Sequence, residues 1–345
     1  MALTSVVLIP TLAVGSLYYT RRQISSKWIN LNNYQSDTIA QNLNGKVILI
    51  TGGNTGLGFQ VAKDLAKRQG TVVIACRDAA KASEAQKNII DETGNPNIDC
   101  LSLDLADLNS VDEFCSQFTE KYPKVYSVIC NAGVFFPMEE KLKTLSNYEI
   151  NFGINHLGHF ALIKKMIPHL QQSGMQSRII MVSSGLMKYG KIDVKKKDFI
   201  YDGRQKGEDE KSFFPTGYCD SKLMNALTVK YLAKTFSSTN QNNVSFYTAC
   251  PGMCSTDLGR HINFSFLQKL VFTPIMRMFT RSALQGAQNI LHATLEDEKI
   301  LENGGIYRDG QITETESQHV ETLMRENVDN ELWDLSEQLL TDEKK

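Results

Sequence analysis

No Cys-x-x-Cys pair occurs among the seven cysteines, which lie scattered at positions 76, 100, 115, 130, 219, 250 and 254. Neither a disulfide framework nor a structural zinc site follows from that spacing, so the chemistry faces a reducing compartment. A surplus of one charge sign is also missing. The 37 basic and 38 acidic side chains leave a formal net charge of −1, which argues against nucleic acid as the main partner, because phosphate binding needs a basic surplus. No internal repeat is evident. Asn243 and Asn263 each head an Asn-x-Ser triplet, which would matter only in a secreted protein. What remains is 345 residues at 42% hydrophobic and 22% charged. That composition excludes a disordered or collagen-like chain, and the length is compatible with one large α/β domain.

Charge is absent altogether from Met1 to Thr20, after which Arg21, Arg22 and Lys27 follow at once. A cleaved signal peptide carries its basic residues before the apolar run, so residues 1–20 read as a membrane anchor whose basic flank stays cytosolic. Pro10 and Gly15 interrupt a run of about the minimum length for a crossing helix, which leaves a spanning segment and a shallow anchor both open. Residues 21–45 then form a linker.

From Lys46 the pattern becomes short β-branched runs separated by amphipathic stretches, as in a parallel sheet with crossover helices. Strands are predicted at 46–51, 71–76, 98–104, 126–131, 178–184 and 244–250. Several are almost continuously apolar, which suits burial on both faces. Helices fall near 56–69, 79–92, 108–121, 148–173, 215–237 and 281–295. Lys191 to Lys211 holds 13 charged residues in 21 and reads as a solvated excursion.

The first predicted strand runs straight into Thr51-Gly52-Gly53-Asn54-Thr55-Gly56-Leu57-Gly58, which opens the first helix. Glycine at 52 permits a tight turn, at 56 a close approach of backbone to a pyrophosphate, and at 58 close packing of helix on sheet. The helix N-terminus offers free N–H groups to the phosphates. At the close of the second strand an acidic residue would hold an unmodified ribose and a basic one a 2′-phosphate. Here Cys76 and Arg77 occupy that place, which favours NADP(H), with Asp78 as the discordant neighbour. In Tyr218-x-x-x-Lys222 the two side chains share one helix face, where the ammonium can favour tyrosinate. His156 and His159 have no third metal ligand nearby, so they read as packing and hydrogen-bonding groups, and no metal site is expected.

With these residues the chain resembles the short-chain dehydrogenase/reductase family from about Lys46 to about Tyr307. The matching motifs run in order: the glycine loop, Asp104-Leu105, Asn131-Ala132-Gly133, Asn155, Ser184, Tyr218 with Lys222, and Pro251-Gly252 with Thr256. The resemblance implies a Rossmann-type doubly wound sheet with helices on both faces. It implies Tyr218 as proton donor or acceptor, Ser184 as hydrogen-bond partner of the substrate oxygen, and Asn155 as holder of a water that relays protons from Lys222. Ser183 could replace Ser184, although alternation along a strand lets only one face the cleft. By family position Thr51, Gly52, Asn54, Thr55, Gly56, Leu57, Gly58, Arg77, Asp104, Leu105, Asn131, Ala132, Gly133, Tyr218, Lys222, Pro251, Gly252 and Thr256 line the cofactor.

The 34-residue gap from Ser184 to Tyr218, the ACRD run at 75–78, NHLGHF at 155–160 and the apolar N-terminus are similar to the membrane-associated retinol dehydrogenase branch. Residues 257–280, rich in Phe, Leu and Met, take the place of a substrate lid, here suited to a long apolar alcohol or carbonyl. The implied catalytic domain is 46–307, followed by a C-terminal extension at 308–345. The expected protein is an NADP(H)-dependent oxidoreductase of a lipophilic alcohol and carbonyl, retinol and retinal foremost. It faces the cytosol from the endoplasmic reticulum or a lipid droplet, and a homodimer is allowed. A steroid or a lipid-derived or xenobiotic carbonyl is the alternative substrate, and an NADPH-binding scaffold without turnover is the alternative class.

Overall fold

The computed structural model describes residues 36–137, 140–204, 214–237, 243–255, 258 and 280–343. The expected anchor at 1–20, Thr256 and nearly all of the expected lid at 257–280 lie outside these residues. Among the described residues no helix is long and apolar enough to cross a membrane.

Six strands form where predicted, slightly trimmed: β1 Val47–Thr51, β2 Thr71–Cys76, β3 Ile98–Ser102, β4 Ser127–Cys130, β5 Ser177–Val182 and β6 Val244–Ala249. Two short strands follow, β7 Ile306–Arg308 and β8 Gln311–Ile312. Together they make one sheet in the order β3-β2-β1-β4-β5-β6-β7-β8. All pairings are parallel except the last, so the sheet carries an antiparallel edge that the sequence pattern did not announce. Strands of two and three residues are too short to show a periodicity.

Alternation within β1 divides the core. Ile48 and Ile50 pack with Val61, Leu65 and Ile290 on one face, while Leu49 packs with Phe114, Phe118 and Met166 on the other. The first face is covered by α1 Gly56–Lys67, α2 Ala79–Thr93 and α7 Ala283–Leu295. The second is covered by α3 Leu108–Lys121, α4 His159–Gln172 and α6 Thr216–Ser237. The short helix α5 Asp198–Tyr201 precedes α6.

Four stretches depart from expectation. The helix foreseen at 148–173 begins as a π-helical turn, Phe152–Gly158, in which every residue is buried, and becomes α-helical only at His159. Charge density concealed anchoring in the stretch at 191–211: Arg204 is buried and grips Asp220 at 3.0 Å, and Phe199 and Ile200 are fully inside. Residues 308–343, foreseen as an extension, pack closely. From α8 Glu314–Arg325 and α9 Val328–Asp342, Val320, Leu332 and Leu335 join Met187, Leu223 and Leu227 in a third apolar cluster. Ser36 is also docked, its hydroxyl donating to Asp64 at 2.7 Å, so the linker stretch is held to α1 from that residue onward.

Candidate active site

The strand order reverses at β1, between β2 and β4, and the crevice at that switch point is where open α/β sheets bind ligands. The turns leaving β1, β4, β5 and β6 all open on this edge because the strands are parallel.

The β1 turn is built for close approach. Gly52 and Gly56 hold φ of +65° and +57°, where a side chain would be strained. A Cβ on Gly58 would collide with the Gly52 carbonyl oxygen and with Asn131 Nδ2. Asn131 Nδ2 donates to the Thr51 carbonyl at 2.9 Å, and Thr51 Oγ1 accepts the N–H groups of Asn131 and Ala132, both at 2.9 Å. The β1 and β4 turns are therefore one hydrogen-bonded unit. Thr55 starts α1 without a side-chain cap, which leaves the helix N-terminal donors unspent.

At the end of β2, Cys76 is buried and Arg77 is exposed, with its guanidinium 3.8 Å from Asp104. So exposed a pair holds the arginine only weakly. Asp78 is turned away to cap α2, accepting the Lys81 N–H at 3.1 Å, so its charge is already engaged. Asp104 Oδ1 accepts the Ala106 N–H at 3.0 Å. Leu105 is buried, and its carbonyl lies where a Cβ on Gly158 would fall.

Helix α6 brings Tyr218 and Lys222 to the same crevice, both almost fully buried. Lys222 Nζ stands 5.7 Å from the Tyr218 ring centroid and donates to the Val182 carbonyl at 3.0 Å. Burial lowers Lys222 to about 8 and pushes the Tyr218 phenol well above its ordinary value, against which the nearby Ser184 hydroxyl pulls down. Phe135 closes over the Tyr218 ring edge-on at 4.6 Å. Ser183 Oγ is committed elsewhere, donating to the Lys222 carbonyl at 2.6 Å.

Asn155 lies in the π-helical turn, fully buried. Its Oδ1 accepts the Val134 N–H at 2.8 Å, and its Nδ2 donates to the Val134 carbonyl at 2.9 Å and to Ser221 Oγ at 3.0 Å. Gly133 lies against this pair: a Cβ there would sit 3.3 Å from Asn155 Oδ1 and 3.4 Å from Lys222 Nζ. Among the described residues no group of His, Cys, Asp and Glu is arranged to hold a metal.

Comparison with known proteins bears on this arrangement. A family model described as short chain dehydrogenase matches residues 46–195. Retinol dehydrogenase 14 of Mus musculus is 34% identical over 305 residues, covering 86% of each chain. Retinol dehydrogenase 12 of Homo sapiens is 35% identical over 255 residues, covering 74% of this chain and 75% of its own. The chain belongs to the short-chain dehydrogenase/reductase family. Within it the chain is retinol dehydrogenase-like, an oxidoreductase of alcohols and carbonyls. L-sorbose reductase from Gluconobacter frateurii, solved with NADPH and L-sorbose, shares the fold with a TM-score of 0.59 at 17% identity, over 80% of this chain and 99% of its own.

A short-chain dehydrogenase takes a nicotinamide dinucleotide, and the residues here fit one. A side chain at Gly58 would fill the β1 turn, the α1 N-terminus has no side-chain cap, and Arg77 stands exposed at the end of β2 with only a 3.8 Å contact to Asp104. Of the expected residues, Thr51 to Gly58, Asn131 to Gly133, Asn155, Ser184, Tyr218 and Lys222 converge on one edge of the sheet. Leu57 packs partly into the core beside Gly286, and Asn54 is half-buried. Pro251 and Gly252 follow β6, and the buried Arg281 is packed against them, with Nη1 3.4 Å from the Pro251 carbonyl and an ion pair to Asp309. Sequence reasoning missed Arg281, Ser221 and Phe135, none of which stands in a recognisable spacing. It foresaw His159 as a packing and hydrogen-bonding group, without its partners Thr51 and Asn155.

Proposed function

We propose that this short-chain dehydrogenase is NADP(H)-dependent and interconverts a lipophilic alcohol with its aldehyde or ketone, retinol and retinal being the pair to test first. The observation that carries this reading is the buried Tyr218, near enough to Ser184 to feel its hydroxyl and one helical turn from Lys222, on the sheet edge where the glycine turn opens. Support for a lipophilic substrate comes from the relatives named retinol dehydrogenase and from the apolar residues of 257–280. Support for NADP(H) comes from Arg77, with Asp78 engaged as a helix cap.

The nicotinamide, when bound, donates hydride to the carbonyl carbon or accepts it from the alcohol. Tyr218 gives its proton to the carbonyl oxygen in reduction and takes it back in oxidation. Its raised pKa keeps it protonated and suits the donor role. Ser184 Oγ donates to the same substrate oxygen and stabilises its developing negative charge. Lys222 returns a proton to Tyr218, and Asn155, beside Gly133 and Lys222, orders the water through which Lys222 recovers it. Thr51, Gly52, Asn54 to Gly58, Arg77, Asp104, Leu105, Asn131 to Gly133, Pro251, Gly252 and Thr256 would hold the cofactor. Residues 1–20 hold the protein to a membrane with residues 46–307 on the cytosolic side.

The test is NADPH consumption by the full-length chain in lipid vesicles, with retinal, a steroid ketone and an alkyl aldehyde as substrates. Turnover of retinal with NADPH well above NADH is expected. Tight NADPH binding with no turnover of any carbonyl would leave the scaffold reading instead.

A further inference from the structure

The imidazole of His159 is fully buried and joins the two halves of the site. Thr51 Oγ1 accepts two backbone N–H groups, from Asn131 and Ala132, each at 2.9 Å. With both lone pairs used, its own proton goes to His159 Nε2 at 2.9 Å, since the Ile129 carbonyl is at the limit of reach, 3.5 Å away. On the other side of the ring, Nδ1 lies 3.1 Å from the Asn155 carbonyl oxygen, which can only accept. Nδ1 therefore carries the hydrogen. One neutral tautomer satisfies both partners, and a second proton on the ring would face a hydroxyl with nothing left to accept it.

The local backbone makes room for this bond. At the end of the π-helical turn the His159 N–H bonds to the His156 carbonyl, so the Asn155 carbonyl is not paired with the amide four residues on. The ring Nδ1 of His159, and not its own amide, meets the Asn155 carbonyl.

Resting on the reading given under Proposed function, we propose that His159 is a positioning residue with two separable arms. Its Nε2 arm, through Thr51, sets the Asn131–Gly133 turn that lines the cofactor. Its Nδ1 arm holds the Asn155 segment from which the proton path to Lys222 runs. The titratable groups around the ring agree with a permanently neutral imidazole. Burial holds the ring down to about 4 against the pull of its bond to the Asn155 carbonyl, and the Lys222 ammonium on α6 adds to the lowering. His156, one turn earlier, is itself held down to about 3, and burial keeps the Cys130 thiol of β4 protonated. The element at Nε2, β1, offers only Thr51.

Two substitutions separate the arms. In His159→Gln the amide oxygen reaches the Nε2 position and accepts from Thr51, but the donor to Asn155 is gone. In His159→Asn the amide nitrogen replaces Nδ1 as donor, but the acceptor for Thr51 is gone. The Gln variant is expected to lose about tenfold in kcat with a displaced pH profile and to lose less in NADPH affinity, the worth of one buried hydrogen bond. The Asn variant is expected to show the opposite split. In the unaltered apo protein, nitrogen NMR of the ring should show the Nδ1–H tautomer with no titration between about pH 8 and 5. Equal losses of kcat and affinity in both variants would overturn the proposal, as would a ring that titrates near its ordinary value. If the unaltered protein binds NADPH yet reduces no carbonyl, the functional reading fails alone, while the NADPH affinities of the two variants and the ring spectrum still decide the Thr51 arm.

Discussion

Ser183 and Lys222 are joined through the backbone: the serine hydroxyl donates to the lysine carbonyl at 2.6 Å, which takes Ser183 out of the cleft and leaves Ser184 to meet Tyr218. Adjacent serines at the end of one strand thus divide into a structural and a reactive one. Ser184→Ala is expected to lower kcat by about 10²- to 10³-fold, as for loss of one donor to a developing oxyanion, and to cost some stability as well, because its Oγ also accepts the Leu186 N–H at 3.2 Å. Ser183→Ala should cost about 1 kcal/mol of stability and far less in rate. Paired kinetics and thermal melts check the division.

The buried ammonium of Lys222 sets a pH limit. Burial lowers it to about 8, so the ammonium is lost as pH rises through that value, and reductive turnover should fall there. The stability effect has the opposite sign. Between about 8 and its unfolded value of 10.5 the unfolded chain binds the extra proton, so this lysine's contribution to stability rises with pH in that window. Lys222→Arg, which keeps its charge, should lift the alkaline fall in the pH profile even where it lowers the plateau.

Arg77 is exposed and its 3.8 Å contact with Asp104 is easily given up. Arg77→Ala should weaken NADPH about tenfold or more and leave NADH almost untouched, because only NADPH presents the 2′-phosphate. Equilibrium binding of both dinucleotides measures this. Asp78→Ala should act on stability instead, lowering the melting temperature by uncapping α2.

Acid should destabilise the fold through His156 and His159, both fully buried. His156 and His159 are lowered by burial to about 3 and about 4, so from about pH 6.5 downward the unfolded chain takes up protons that the folded chain refuses. Their stabilising neutrality is present above that pH and is lost progressively as pH falls toward about 4. Urea unfolding across this range should show a loss of several kcal/mol that is smaller in His156→Gln.

Strands with four or five consecutive apolar residues, such as β2 and β5, were legible because burial on both faces writes a continuous run into the sequence. The glycine turn and the Tyr218–Lys222 pair were legible because phosphate approach and a shared helix face impose fixed spacings. The interruption of the helix at Phe152–Gly158 was not, since it depends on Asn155 reaching across to Val134 and on Gly158 meeting the Leu105 carbonyl. Arg204 and Asp220 were hidden for a related reason: within a run of alternating charges, no local signal marks the one arginine that folds inward. The packing of α9 was equally silent, because Trp333 stacks on Tyr231 at 4.3 Å, about a hundred residues away in sequence. Long-range pairings of this kind leave no periodicity behind.

The most direct test of the whole account is Tyr218→Phe in the full-length protein, assayed for NADPH binding and for retinal reduction. The ring and its edge contact with Phe135 remain, and only the transferable proton is removed. NADPH affinity within about twofold of the unaltered protein, with turnover down by about 10³-fold or more, is the predicted result. Turnover close to that of the unaltered protein would place the proton transfer on another group and contradict the account.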